Sequence, residues 1–450
     1  MRPLVFWFSI LYKDRSATML PRVLLCAVVS FLVLSSSSMA QTKPARKTAK
    51  ALTAKQIHDS SLVIDTHADT TQRLLDESFD LANPPAGDQG NLDLIKAKAG
   101  NLGAEFFSIW VEPKEFKGQY AHRTLALIDS VYQQAGKHPD KMMMAFSPAD
   151  IERAHREHKL AALLGIEGGH SIENDIGLLR DFYRLGVRYM TLTWSNTNEW
   201  ADSSGDVSDT SVQHHNGLTE FGKDVVSEMN RLGMMIDVSH VSDKTFWDTL
   251  QTSRAPVIAS HSSSRVLTNH PRNMTDEMLK AMASSGKGGG VVMVNYYSAF
   301  VDEKWRQAYE AQSKERNAAI DAAGEKYKDS DPVTRYRETD KVAKEWAAKV
   351  PRPPFDDIID HIDHIAKVAG VDHVGLGSDF DGTPSMPEGM DSAADLPKIT
   401  AALVKRGYTA DQIRKILGGN LMRVFKEVEA TSRYLSGERP PVARRMSSSK

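Results

Sequence analysis

SLVIDTHADT, residues 61–70, is a short run rich in β-branched and apolar residues that ends in two side chains able to bind a metal, His67 and Asp69. In an extended segment, side chains two apart point to the same side, so His67 and Asp69 face one direction together. A parallel barrel of strands and helices carries its chemistry where the strands end. The stretch therefore reads as the first strand of such a barrel with half of a metal site at its tip. Alone, an H-x-D pair is common, and a capping or structural role is the plainer reading.

The rest of the chain repeats the pattern. AEFFSIWV (104–111), LAALLGI (160–166), VRYMTLT (187–193), GMMIDVS (233–239), APVIAS (255–260), GVVMVN (290–295) and HVGLGS (373–378) are similar runs, separated by segments of helical period. With the first run they supply the eight strands of a closed (β/α)8 TIM barrel of the metal-dependent hydrolase type. A long polar excursion, residues 302–354, interrupts the alternation before the last strand and reads as an inserted helical arm whose charge run is a solvated face. Thr409-Ala410-Asp411-Gln412 forms a capping box ahead of a terminal helix, with a break expected at Gly418-Gly419.

Several runs end in chemistry-bearing residues. The third is followed by Glu167 between glycines (GIEGGH), the fifth by His240 (MIDVSHVS) and the sixth by His261 (VIASHSSSR). Each histidine taken singly is more often structural, but five such groups at the ends of four separate strands point to a metal centre. A carboxylate has two oxygens, so Glu167 is able to bridge two cations. Imidazole and carboxylate ligands without thiolate favour zinc, with manganese or cobalt as other occupants of the same cage. Two adjacent cations lower the pKa of a shared water and polarise a carbonyl, which is a hydrolytic design. Asp379, after the eighth run, is placed to move a proton, while Asp381 reads as a loop-shaping residue. Arg272, in NHPRNMTDEML, has a planar fork suited to a substrate carboxylate, a surface ion pair being the bland alternative.

DTHADT, GIEGGHSI, RYMTLTWS, MIDVSHVS, PVIASHSSSR, PRNMTDE and GSDFDG, in this order, resemble the membrane dipeptidase (renal dipeptidase) family, peptidase family M19. The resemblance covers residues 58–428 apart from the arm. It implies a dipeptidase with two zinc ions per chain: His67 and Asp69 on one, His240 and His261 on the other, Glu167 bridging. It also implies Asp379 as the proton-transfer residue, Arg272 as the carboxylate clamp, tolerance of a C-terminal D-residue, and a homodimer. One departure stands out. Trp194 occupies the place of a substrate-contacting histidine in mammalian members; an indole donates one hydrogen bond but carries no charge. Oxyanion support then falls to a neighbour such as Asn196 or Asn198.

Composition sets the outer limits. With 41% hydrophobic and 25% charged residues and a net charge of -2, the chain has an ample core and no basic face for nucleic acid. Arg22, the apolar run VLLCAVVSFLVL and Ser38-Met39-Ala40 read as a secretory leader cleaved after Ala40, with Met19 as an alternative start. That predicts a periplasmic or secreted protein. Cys26, the single cysteine, lies inside that leader, so disulfides and thiolate ligands are excluded from the mature chain. Residues 41–57 read as a flexible linker, 58–430 as the barrel domain and 431–450 as a disordered tail without the hydrophobic end of a lipid-linked anchor.

His170, His361, His364 and His373 read as structural, and His214 and His215 carry no assignment. Two other functions remain open on sequence: an amidase or lactonase using the same metals, and a noncatalytic binding protein of the same fold. Intact ligand positions argue against the second.

Overall fold

A computed structural model describes residues 52–437 and Val442. The expected leader, most of the linker and most of the tail lie outside the described residues.

Nine strands form one sheet: β1 (Val63–Ala68), β2 (Leu102–Trp110), β3 (Met142–Met144), β4 (Leu160–Glu167), β5 (Val187–Thr191), β6 (Met235–Asp237), β7 (Ile258–Ala259), β8 (Val291–Val294) and β9 (Val374–Leu376). Eight of them run in the order β1-β2-β4-β5-β6-β7-β8-β9, all neighbours parallel. The sheet rolls up until its edges meet, where the Asp379 N–H donates to His67 O at 3.0 Å and the Asp69 N–H to Phe380 O at 2.8 Å. This is the (β/α)8 barrel, with its eight strands in the eight expected runs.

The ninth strand, β3, is an addition that the sequence reading did not include. It pairs with Leu160–Ala162 of β4, whereas β5 pairs only from Leu164 onward. It thus covers the part of the β4 edge that β5 leaves open.

Alternation along the strands sorts their side chains. On β2 and β4, Ala104, Phe106, Ala161 and Leu163 join an inner cluster with Ile64, Tyr189, Met235, Ile258 and Met293. Phe107, Ile109, Leu164 and Ile166 point outward into the layer beneath the helices. This period of two carries Glu167 inward at the upper end of β4. The terminal helix, Asn420–Ser436, adds Leu421, Val424 and Phe425 to the inner cluster and closes the lower end of the barrel. Its lead-in breaks at Gly418, as expected, because a Cβ there would lie 2.5 Å from the Leu62 carbonyl.

Two boundaries differ from the sequence reading. Thr53 and Gln56 form a capping box on a helix, Ala54–Asp59, in what was expected to be linker. The terminal helix continues to Ser436, into the expected disordered tail. The arm is present as helices Glu303–Glu310, Ser313–Lys326 and Pro332–Ala347, followed by the barrel helix Asp356–Ala369. Because it is inserted after β8, it belongs to the loops at the C-terminal ends of the strands, the face on which barrels carry their sites. Among the described residues, no helix is long and apolar enough to cross a membrane.

Candidate metal centre

The upper ends of β1, β4, β6 and β7 bring His67, Asp69, Glu167, His240 and His261 together. Glu167 sits in the middle. Its Oε2 lies 3.2 Å from His67 Nε2, and its Oε1 lies 2.8 Å from His240 Nε2 and 3.4 Å from His261 Nε2. Asp69 Oδ1 is 3.9 Å from His67 Nε2 on the first side. The two histidines of the second side are 3.0 Å apart through their Nε2 atoms. Each oxygen of one carboxylate therefore faces a separate set of donors.

The surroundings orient these rings. The Tyr189 hydroxyl donates to Thr66 O at 3.0 Å, and its oxygen lies 2.8 Å from His67 Nδ1. Its single proton already engaged, Tyr189 accepts from Nδ1–H, and Nε2 turns to the centre. His261 repeats the logic: Ser260 donates to Asp237 at 2.5 Å, and Ser260 Oγ, 2.7 Å from Nδ1, accepts the ring proton. Asp237 also accepts from Thr191 Oγ1 at 2.5 Å and from the Ser260 N–H at 2.8 Å. Neither Tyr189 nor Asp237 and Ser260 were singled out from sequence, since their partners lie on other strands. The only hint was their position, two residues below a strand end or beside a ligand.

Electrostatics separate the carboxyl groups. Burial opposes charge on Glu167, but the facing His67, with the imidazoles of His240 and His261 beside it, outweighs it and holds the carboxyl well below the usual range. Burial pushes Asp69 well above that range and Asp379 above it. Burial, with Arg272 nearby, lowers His240 to about 4, and burial lowers His261 as well, so both are neutral at pH 7. Burial opposes charge on His67 too, yet the facing Glu167, Asp69 and Asp379 raise it to about 10. Tyr189 accepts the Nδ1 proton in either state, so Nε2 is the atom that exchanges a proton for a cation.

The donors fit a metal. His67 Nε2 and Asp69 Oδ1 are buried without a hydrogen-bond partner among the described residues. His67, Glu167 and His261 form one group close enough to hold an ion, and His67, Asp69 and Asp379 another. Backbone strain marks the same places: His240 and Asp379 have φ of 66° and 65°, in the left-handed region that non-glycine residues rarely adopt.

Beside the centre, Asp379 Oδ2 accepts from Asn295 Nδ2 at 2.8 Å. Arg272 is buried and donates from Nη1 to Ser262 Oγ at 2.8 Å, whereas its Nε and Nη2, which share one edge of the guanidinium, have no partner among the described residues. Burial lowers Arg272 to about 10, which leaves it charged at pH 7. The surface ion pair considered as its bland role is absent among the described residues.

Trp194 lies with its ring 6.4 Å from that of His240 and 4.8 Å from Trp110. Asn196 has a buried Oδ1 without a partner among the described residues. Asn198 is taken up by its own loop, donating to Leu192 O and accepting from the N–H groups of Trp200 and Ala201. Ser195 comes nearer the centre, 3.5 Å from His240 Nδ1. Asp381 binds Thr70 and the Asn91 N–H, shaping a loop. His170, His361 and His373 bind backbone carbonyls and His364 binds Asp276.

The sequence model of the membrane dipeptidases, peptidase family M19, matches residues 52–439. The chain belongs to this family. Solved members of the fold agree. The probable dipeptidase PvdM from Pseudomonas aeruginosa is 26% identical, with a TM-score of 0.67 over 84% of this chain and 98% of its own. A metallopeptidase called dipeptidase AC is 25% identical, with a TM-score of 0.65 over 82% and 98%. A metallopeptidase from Rhodobacter sphaeroides, solved with a phosphinate mimic of the dipeptide L-Ala-D-Ala, shares the fold at 24% identity and a TM-score of 0.64 over 82% and 99%. This M19 chain is accordingly a metallo-dipeptidase, and the residues gathered around Glu167 are its candidate metal ligands.

Proposed function

We propose that this chain hydrolyses the peptide bond of free dipeptides with two zinc ions, one held by His67 and Asp69, the other by His240 and His261, and Glu167 between them. The observation that carries the reading is the Nε–Nη2 edge of Arg272, without a partner among the described residues and buried in a site with a carboxylate whose two oxygens face two donor sets. Such an edge matches a carboxylate in geometry and charge, and an unmatched guanidinium in a buried site is costly.

A pair of divalent cations would supply a water of lowered pKa and polarise the scissile carbonyl. The protein's own groups do the rest. Arg272 holds the substrate's terminal carboxylate, fixing which bond lies over the centre. Asp379, its pKa raised and its orientation held by Asn295, takes a proton from the attacking water and delivers it to the leaving amine nitrogen. Trp194 and Asn196 flank the substrate, with Ser195 as a further donor near His240. Because Arg272 recognises the carboxylate and not the side chain beside it, a C-terminal D-residue is accepted, in keeping with the L-Ala-D-Ala mimic seen in a fold neighbour. The leader-like N-terminal sequence supports an enzyme that acts outside the cytoplasm, and the family resemblance supports a homodimer.

The test is metal analysis of the purified protein together with hydrolysis of L,L and L,D dipeptides and their C-terminal amides. Two zinc ions per chain, loss of activity on chelation, recovery with zinc and strong preference for the free carboxylate are expected. Equal turnover of the amides would refute the reading.

A further inference from the structure

The helical arm reaches the wall of the candidate site. Tyr336, on the helix Pro332–Ala347, packs its ring 5.3 Å from that of Trp110. Trp110 ends β2 in register with Glu167, and a row of rings runs from it through Trp194 to His240, at centroid spacings of 4.8 and 6.4 Å. The row connects an inserted element to the metal centre. A cavity of about 490 Å³ opens beside it, walled on one side by Trp110, Val333 and Tyr336 and elsewhere mostly by polar and charged residues, Asp69, Arg73 and Asp340 among them. An ion pair between Arg335, next to Tyr336, and Glu115, a residue of the loop after β2, ties the arm to the barrel. Burial, followed by the charges of Asp340 and Asp69, raises the Tyr336 phenol well above its ordinary pKa, so the ring is neutral.

The two ends of a dipeptide differ. Arg272 lies on the His261 side, its Nη1 bonded at 2.8 Å to Ser262, the residue next to that histidine, whereas the cavity opens at Asp69 on the other side. A substrate whose carboxylate meets Arg272 therefore sends its amino-terminal residue toward the cavity. This inference rests on the dipeptide reading above. We propose that Tyr336, with Trp110, is a specificity-determining residue that receives the side chain of the amino-terminal residue and selects side chains long enough to pack against the two rings over small ones. The cavity is large enough for such groups. Aromatic faces reward apolar area brought against them, and a methyl group is too short to reach the wall.

The experiment compares Leu-Ala, Phe-Ala, Ala-Ala and Ala-Leu as substrates of the zinc-loaded enzyme and its variants. Tyr336→Ala is expected to raise KM for Leu-Ala and Phe-Ala about tenfold, with kcat little changed, and to leave Ala-Ala and Ala-Leu near wild type. Tyr336→Phe keeps the wall and should retain wild-type ratios. Glu115→Ala, which frees the arm without altering the ring row, should shift the same ratio in the same direction. A uniform effect on all four substrates, or an unchanged ratio in both Tyr336→Ala and Glu115→Ala, would overturn the proposal while wild-type turnover stands. Failure of the wild-type enzyme to cleave any of the four would overturn the reading of the site and this inference with it.

Discussion

The Tyr189 hydroxyl, 2.8 Å from His67 Nδ1, sits directly beneath the metal site, with its ring lying over Gly165 of the neighbouring strand. A Cβ at Gly165 would fall 2.0 Å from that ring, so the glycine leaves the space that the tyrosine fills. One strand thus supplies room, a second the phenol and a third the ligand.

Tyr189→Phe removes the acceptor for His67 Nδ1–H while keeping the packing. Metal affinity is expected to fall about 10–100-fold, as for other outer hydrogen-bond partners of ligating histidines. Competition with a chelator of known affinity measures it, and unchanged affinity would mean that Tyr189 does not orient His67.

Glu167→Gln replaces two anionic oxygens by one neutral acceptor and a donor. Loss of metal from both sides and a drop in kcat of at least roughly a thousandfold are expected. Metal analysis of the variant decides: full retention of two ions would exclude a bridging role.

Asp379→Asn keeps the size of the side chain and its contact with Asn295 but removes the proton acceptor. The variant should retain its metal while kcat falls by roughly 10²–10⁴. Near-normal turnover would assign the proton transfer elsewhere.

Arg272→Ala should raise KM for free dipeptides by about a hundredfold, with a smaller effect on kcat, and should not affect C-terminal amides. Lysine is expected to restore little, because a point charge cannot reproduce the two-donor edge. An equal loss on amides would point to a structural role for the arginine.

Asp80, remote from the site, offers a pH test of stability. Burial opposes its charge, but Asn83, Lys137, the Ala82 N–H and His138 outweigh it and depress its pKa. A depressed folded value means stabilisation that is complete above the unfolded value, near 4, and is lost as pH falls through the folded one. Asp80→Asn should therefore cost about 2 kcal/mol at pH 7, a difference from wild type that shrinks as pH falls below about 4. Denaturant titrations at several pH values measure it, and a pH-independent difference would refute the assignment.

The barrel was readable because its strands announce themselves twice, by apolar runs and by the polar side chains at their ends. His67, Glu167, His240 and His261 each close such a run, and the fold gathers them. The residues that hold them were not readable. Tyr189 and Asp237 lie inside apolar runs, where tyrosine passes for core and aspartate for a strand end, and their partners are contributed by other strands. β3 is three methionines without alternation, too short to carry a period. The helix at Ala54–Asp59 did carry its sign, the capping box of Thr53 and Gln56, masked by the basic composition around it. The contact of Tyr336 with Trp110 joins an inserted segment to the barrel, and nothing in either local pattern points to the other.

The helix Asn420–Ser436 also has a bearing on how the enzyme is made. Its Leu421, Val424 and Phe425 form the floor of the barrel, so the ribosome delivers the floor after every wall is finished. Strand β1 finds its second neighbour only when the chain near Asp379 has been made. The earliest ligands to be synthesised are thereby among the last to be secured, and any truncation before the final helix would leave a barrel with its apolar lining open from below.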